Sequence, residues 1–267
     1  RHRALFLDMS NAIASVLEAT VATVSPSLSS SAPPWLGALI RHWHEQRCTV
    51  LTLNYDTLIE VAAAGVRVEG ERSIAPRDLY PTLLTDASAR TGDHSSSERH
   101  ESFRLLKLHG STNWYYSGRT AAAGETIYFV PPLRPGSADE AARRRHEHLI
   151  RAVADKYPFM VPPIYDKSPL LTHETIRALW FDAGEALRSA RRIICMGYSL
   201  PSSDLTMMHF LRTNCGESAR IEIVNESRAA AENFHRLFAR TKVQVDVAGS
   251  GETCVPAFLE HHLRRRR

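Results

Sequence analysis

Apolar residues recur along the chain with two alternating periods. Residues 4–24 and Trp35 to Gln46 repeat apolar positions every three or four residues, and Trp35, Leu39 and Trp43 share one face of the second stretch. That spacing predicts two amphipathic helices. Between them Ser25 to Pro34 breaks the period with serines and prolines and reads as a loop. Cys48 to Leu53 is a short β-rich run that stops at Asn54-Tyr55-Asp56, after which Thr57 to Ala64 is helical in pattern and ends at Gly65. A polar, Ser-rich stretch over 85–102 predicts an exposed loop, and Phe103 to Leu108 is the next strand, stopping at His109-Gly110-Ser111. Further on, Thr172 to Arg188 predicts a helix and Arg192 to Met196 a strand that stops at Gly197-Tyr198-Ser199-Leu200-Pro201. Residues 203–214 then read as a helix, Arg220 to Val224 as a strand stopping at Asn225-Glu226-Ser227, Arg228 to Ala239 as a helix, and Val243 to Val247 as a last strand.

Strands alternating with helices of this length indicate βαβ units. The expected fold is α/β: a Rossmann-like, doubly wound, mostly parallel sheet, with 1–267 forming one domain. Residues 117–169 fit this alternation poorly. They hold a short strand (Thr126 to Val130), two Pro-Pro pairs and a charged helix around 137–156, and are expected to form an inserted cap.

Composition narrows the function classes. With 267 residues and 43% hydrophobic content the chain is ordinary for a globular protein. No window approaches the roughly 18 uninterrupted apolar residues of a membrane span, and no secretory leader is seen. The four cysteines (Cys48, Cys195, Cys215, Cys254) are widely separated and lack Cys-x-x-Cys spacing. That speaks against a zinc ribbon or a disulfide framework and for a reducing, cytoplasmic setting. The thirteen histidines have no matching acidic or cysteine partners, so no metal is expected. The basic runs Arg143-Arg144-Arg145 and Arg264 to Arg267 lack interleaved aromatics and read as a solvated helix face and a tail, not a nucleic-acid surface. The chain opens on Arg1 and is read as a piece of something longer.

The chemistry lies in where the strands stop. In a parallel sheet all C-terminal strand ends meet one edge, where open α/β sheets bind ligands. Asn54 and Asp56, His109 and Gly110, Gly197 and Ser199, and Asn225 are therefore the candidate site. A glycine admits close backbone approach, a helix N-terminus favours phosphate, Asn225 suits a ribose diol, and Asn54 and Asp56 can bracket an amide. His109 is the member able to exchange a proton near neutral pH. Each also has a plainer reading: Asp56 as a helix cap, Gly110-Ser111 as a turn, His109 as a core histidine, Asn225 as a strand-end turn residue.

Three ordered segments carry a family resemblance: Leu-Thr-Leu-Asn54-Tyr-Asp56-Thr-Leu-Ile-Glu, Lys-Leu-His109-Gly-Ser-Thr-Asn113-Trp114, and Gly197-Tyr-Ser-Leu-Pro-Ser-Ser-Asp204. Over about residues 48–240 the chain resembles SIR2-like domains, most closely the bacterial branch without zinc that cleaves NAD, often in antiphage defence. The resemblance implies NAD as substrate, cleaved at the nicotinamide–ribose bond by an NAD hydrolase. It implies that Asn54 positions the attacking water or the nicotinamide ribose, that Asp56 faces the nicotinamide pocket, and that His109 is the base. Ser199 and Asn225 would hold phosphate and adenosine ribose, with Gly110 and Gly197 in the cofactor site. It further implies a homo-oligomer and a fused or associated sensor domain. The Gly-Ala-Gly loop that opens such domains is not found among the 53 residues before Asn54, where Gly37 is the sole glycine. The expectation is truncation or loss of that strand. The alternative is an inactive NAD- or ADP-ribose-binding module; an NAD-dependent deacylase is less favoured because the zinc module is missing. Hydrolysis and cyclisation share the first bond cleavage and stay undivided.

Overall fold

Three of the described α-helices start at a side chain that caps them, Asp139, Asp204 and Ser227. The computed structural model describes residues 10–21, 23, 33–68, 72–81, 84–92, 99–118, 121–122, 124–133, 139–161 and 173–264. Residues 25–32 of the expected Ser25 to Pro34 loop, part of the expected 85–102 loop, the second Pro-Pro pair and Arg265 to Arg267 lie outside them. The described chain divides into two compact units, Arg1–Trp180 and Phe181–Arg267.

The first unit opens with helix α1 (residues 10–21) and α2 (Pro34–Glu45). Strand β1 (Thr49–Thr52) and helix α3 (Leu58–Gly65) follow, then a short antiparallel pair, β2 (Arg67–Val68) and β3 (Arg72–Ser73). A one-turn helix α4 (Pro76–Leu79) and strand β4 (Leu84–Asp86) lead through a 3-10 turn to β5 (Arg104–Lys107). Strands β1 and β5 are parallel neighbours, Thr49 opposite Arg104 and Thr52 opposite Lys107. A two-residue turn, Leu108 and His109, passes directly into β6 (Gly110–Tyr116). Strand β7 (Ile127–Phe129), helix α5 (Glu140–Ala152) and strand β8 (Tyr157–Met160) complete a four-stranded mixed sheet in the order β4-β7-β6-β8. The 117–169 segment thus supplies β7, α5 and β8, which join strands from outside it. Phe103, Leu105, Leu106, Trp114, Phe129 and Phe159 are essentially fully buried. Tyr80 sets its ring edge-on to Trp114 and Phe129, at 5.3 and 5.1 Å between centroids.

Helix α6 (Glu174–Ser189) carries the boundary between the units. The second unit continues with β9 (Arg192–Met196), α7 (Leu205–Asn214), β10 (Arg220–Asn225), α8 (Arg228–Phe238), β11 (Gln244–Ser250) and α9 (Cys254–Arg264). Its three strands are all parallel, in the order β11-β10-β9, a Rossmann-type βαβαβ arrangement. Helix α8 buries Ala230, Ala231, Phe234, Leu237 and Phe238, the stripe its sequence period requires. Asp204 caps α7 by accepting from the Met207 N–H, and Ser227 caps α8 by accepting from the Ala229 N–H. Ser227→Ala is expected to lower stability by about 1 kcal/mol, read as a shift of the urea midpoint at unchanged slope; an unshifted midpoint would remove the cap from the account.

The chain is therefore mixed α/β with parallel strands in both units, as the alternation of periods predicts. Strand β5 ends at Lys107, next to the expected halt at His109-Gly110-Ser111, and Gly110 and Ser111 then open strand β6. The polar residues Ser111, Thr112 and Asn113 are buried there, with the Ser111 and Asn113 side chains and the Thr112 N–H hydrogen-bonded, so polarity at these positions does not mark a loop.

Candidate functional site

Each unit brings together part of the expected set at the C-terminal ends of neighbouring parallel strands. In the first unit the Leu108 N–H donates to the Thr52 carbonyl at 3.0 Å, closing the end of the β1–β5 pair. Beyond it, the Tyr55 carbonyl accepts from the Thr112 N–H at 3.0 Å and from the Ser111 hydroxyl at 3.1 Å. These bonds join the Asn54-Tyr55-Asp56 loop to the His109-Gly110-Ser111 segment. Asn54 is exposed, its N–H donating to the Thr52 hydroxyl at 3.1 Å. Asp56 accepts from the Leu58 N–H through Oδ1 at 3.0 Å, so it supports the start of α3 in a turn of the Asx type.

His109 is half-buried between two aromatic rings. Tyr55 stacks on one side at 6.3 Å between centroids and Trp180 tilts against it at 6.2 Å. Trp180 is itself anchored, its indole N–H donating to the Leu108 carbonyl at 3.0 Å. The Tyr55 hydroxyl donates to the Val161 carbonyl, and burial pushes its pKa up to about 12, so it stays a neutral donor at ordinary pH. The Val161 N–H returns to the His109 carbonyl at 2.8 Å. Two aromatic rings thus neighbour the imidazole, and the backbone of its residue is tied to Val161.

Gly110 has φ +80°, and a Cβ built on it would lie 2.1 Å from the Phe159 carbonyl oxygen. Its lack of a side chain is thus a packing requirement between β6 and β8.

Beneath this loop lies a buried polar network that the sequence reading missed. The Lys107 ammonium meets the Glu60 carboxylate at 3.0 Å, with both residues at most 1% exposed. Tyr80 donates its hydroxyl to the same carboxylate oxygen at 2.5 Å, and Asn113 donates to the Tyr80 oxygen at 3.2 Å and to the Val130 carbonyl at 2.9 Å. Burial first, and then the Glu60 charge beside it, raise the Tyr80 phenol well above its usual range. The signal available in sequence was a charge inside each of two apolar runs, Glu60 in Leu58–Ala64 and Lys107 in Phe103–Leu108.

In the second unit the Gly197 N–H donates to the Val224 carbonyl at 2.9 Å, placing the end of β9 beside Asn225 at the end of β10. Gly197 is exposed, with φ +71° and nothing within 4 Å of the position a Cβ would take. This glycine therefore answers to backbone conformation and leaves open space beside the chain. Ser199 is exposed, and its carbonyl accepts from the Asn233 amide at 3.1 Å. Asn225 is buried and accepts from the Ser227 N–H at 3.0 Å, a strand-end turn leading into α8. Tyr198 donates to the Asp204 carboxylate at 2.8 Å, bracing the loop between them, and its phenol is raised by burial and then by that carboxylate.

Other features are plainer. Among the described residues no group of three histidine, cysteine or acidic side chains is arranged to hold a metal ion, and no helix is long and apolar enough to cross a membrane. Arg143, Arg144 and Arg145 are exposed on α5, where Arg144 pairs with Glu140 one turn away, as a solvated helix face does. A cavity of about 390 Å³ in the first unit, lined by Arg77, Asp86, Asp139, Arg145 and His146 among others, contains none of the candidate residues.

No protein-family model matches the chain, and no curated protein matches it. A solved structure from work on the structural basis for the mechanism and regulation of Sir2 enzymes is similar at 16% identity with a TM-score of 0.42. The similarity covers 88% of this chain and 69% of that one. At this identity and score the likeness says nothing of activity.

Proposed function

We propose that the chain cleaves the nicotinamide–ribose bond of NAD as a glycohydrolase, giving nicotinamide and ADP-ribose. The observation that supports this reading most is the joining of two motifs more than fifty residues apart. The Tyr55 carbonyl takes hydrogen bonds from Ser111 and Thr112, so the Asn54–Asp56 loop and His109 belong to one local assembly. The SIR2-like pattern of the three motifs supplies the substrate.

In this reading the C–N bond breaks with its electron pair passing to the pyridinium nitrogen, which neutralises the leaving nicotinamide. The ribose C1′ becomes oxocarbenium-like, and a water oxygen bonds to it. Asn54 orients that water or the ribose hydroxyls, and His109 accepts the proton the water gives up. Asp56 keeps one carboxylate oxygen on the α3 N-terminus and turns the other's charge toward the nicotinamide side. Gly110 sets the turn beside His109. The same resemblance gives phosphate contacts to Gly197 and Ser199 and the adenosine ribose to Asn225. Such chemistry asks for preorganised polar groups more than for a strong acid.

The same resemblance extends the proposal to an effector in bacterial antiphage defence, cytoplasmic, homo-oligomeric, and governed by a fused or associated sensor domain. The test is nicotinamide release from NAD by the wild type, His109→Ala and Asn54→Ala. Each substitution is expected to lower release by at least about a hundredfold, the scale of a positioned acid–base group, with an unchanged melting temperature. Binding of NAD or ADP-ribose without any release by the wild type would replace the enzyme with a binding module. Release unaffected by His109→Ala would remove the histidine from the chemistry.

A further inference from the structure

We infer that Lys107 is a positioning residue whose buried ammonium, held by Glu60, fixes the Asn54-Tyr55-Asp56 loop against the His109 turn. An ammonium has three N–H donors and no acceptor. Here the three meet three acceptors: the Glu60 carboxylate at 3.0 Å, the Asp56 carbonyl, and the Tyr55 carbonyl at 3.4 Å. Two of the three are main-chain atoms of the loop that carries the candidate residues. Lys107 stands opposite Thr52 in the β1–β5 register, and Thr52 in turn holds the Asn54 N–H. His109 lies two residues further along the same segment. One side chain therefore spans the two motifs from below.

The pair is poorly explained as a device for stability. Both groups are taken out of water, and replacing a buried ion pair by apolar residues of similar volume is often neutral or stabilising. Glu60 leaves its second oxygen, Oε2, buried without a hydrogen bond among the described residues, which an element selected only for stability would avoid. What the pair does achieve is geometric. Without it the Tyr55 carbonyl keeps Ser111 and Thr112, whereas the Asp56 carbonyl loses the ammonium that holds it. The tie at Asp56 is the part that Lys107 supplies.

In its catalytic consequence this inference rests on the NAD-cleaving reading; in its structural part it does not. The test is the double variant Glu60→Leu/Lys107→Met in the full chain, which removes the charges together. Amide hydrogen exchange is followed in the peptide spanning residues 54–58 and in β10 as an internal reference. Exchange in the 54–58 peptide is expected to quicken at least tenfold while β10 and the melting temperature stay as in the wild type. With NAD, kcat is expected to fall at least tenfold with KM within about twofold, a split that general loosening of the fold would not give. Unchanged exchange at 54–58 would overturn the positioning role, as would accelerated exchange spread equally over both peptides. If the wild type releases no nicotinamide, the NAD reading fails by itself and the exchange arm still decides the inference.

Discussion

Gly110→Ala is expected to lower the stability of the first unit by about 4 kcal/mol or more, at the far end of what single substitutions do. Two separable costs add. The residue holds φ +80°, where an L side chain costs on the order of 1–2 kcal/mol. The new methyl would also sit 2.1 Å from the Phe159 carbonyl oxygen and 3.0 Å from its carbon, with Met160 Cα at 3.1 Å. All three are backbone atoms, so no rotamer change relieves the overlap and β8 must move away from β6. That displacement strains the Val161–His109 backbone bond and the Tyr55–Val161 bond, which help hold the imidazole's surroundings. Urea unfolding followed by tryptophan fluorescence measures it, since Trp114 lies in β6 and Trp180 touches the turn. A loss below about 0.5 kcal/mol, no more than an ordinary surface change produces, would mean that the β6–β8 contact is not what calls for glycine.

What the sequence made legible follows from whether local pattern and final environment agree. In the second unit they agree closely: β9, β10 and α8 read directly as alternating apolar runs and a stripe, and Asp204 and Ser227 sit where caps are needed. In the first unit they diverge. Strand β6 begins Gly-Ser-Thr-Asn, a composition that reads as a turn, yet the Ser111 and Asn113 side chains are buried because they pair with Tyr55, Tyr80 and Val130. Strand β8 contains Pro158 and escapes the strand pattern. It stands at the edge of its sheet, where a missing N–H is tolerated. Helix α9 was hidden by the arginines that follow it and by its mixed polar face, although Leu259 is buried. The candidate residues were legible as strand ends, and the structure brings Asn54 and Asp56 to His109, and Gly197 to Asn225. The pair beneath the loop was not legible, because Glu60 and Lys107 are 47 residues apart and a single charge in an apolar run does not name its partner.

That pair gives the second large effect. Glu60→Leu alone and Lys107→Met alone are each expected to destabilise the protein by about 3–5 kcal/mol, because each leaves one buried charge without its counterion. For a unit of this size that corresponds to a fall in melting temperature on the order of 6–20 °C. The remaining partners cannot absorb the stranded charge. Among the described residues a lone Lys107 keeps only the Tyr55 and Asp56 carbonyls, and a lone Glu60 only the Tyr80 hydroxyl. The double variant is expected to recover to within about 1 kcal/mol of the wild type, since the apolar replacements fill comparable volume and Tyr80 keeps Asn113 as a partner. Denaturant unfolding of the four proteins completes the cycle, and a coupling energy below about 1 kcal/mol would show that the two charges do not depend on each other. Strong coupling with full recovery in the double variant separates stability from placement. Such a protein folds as well without the pair as with it, and what it lacks is the ammonium that holds the Asp56 carbonyl.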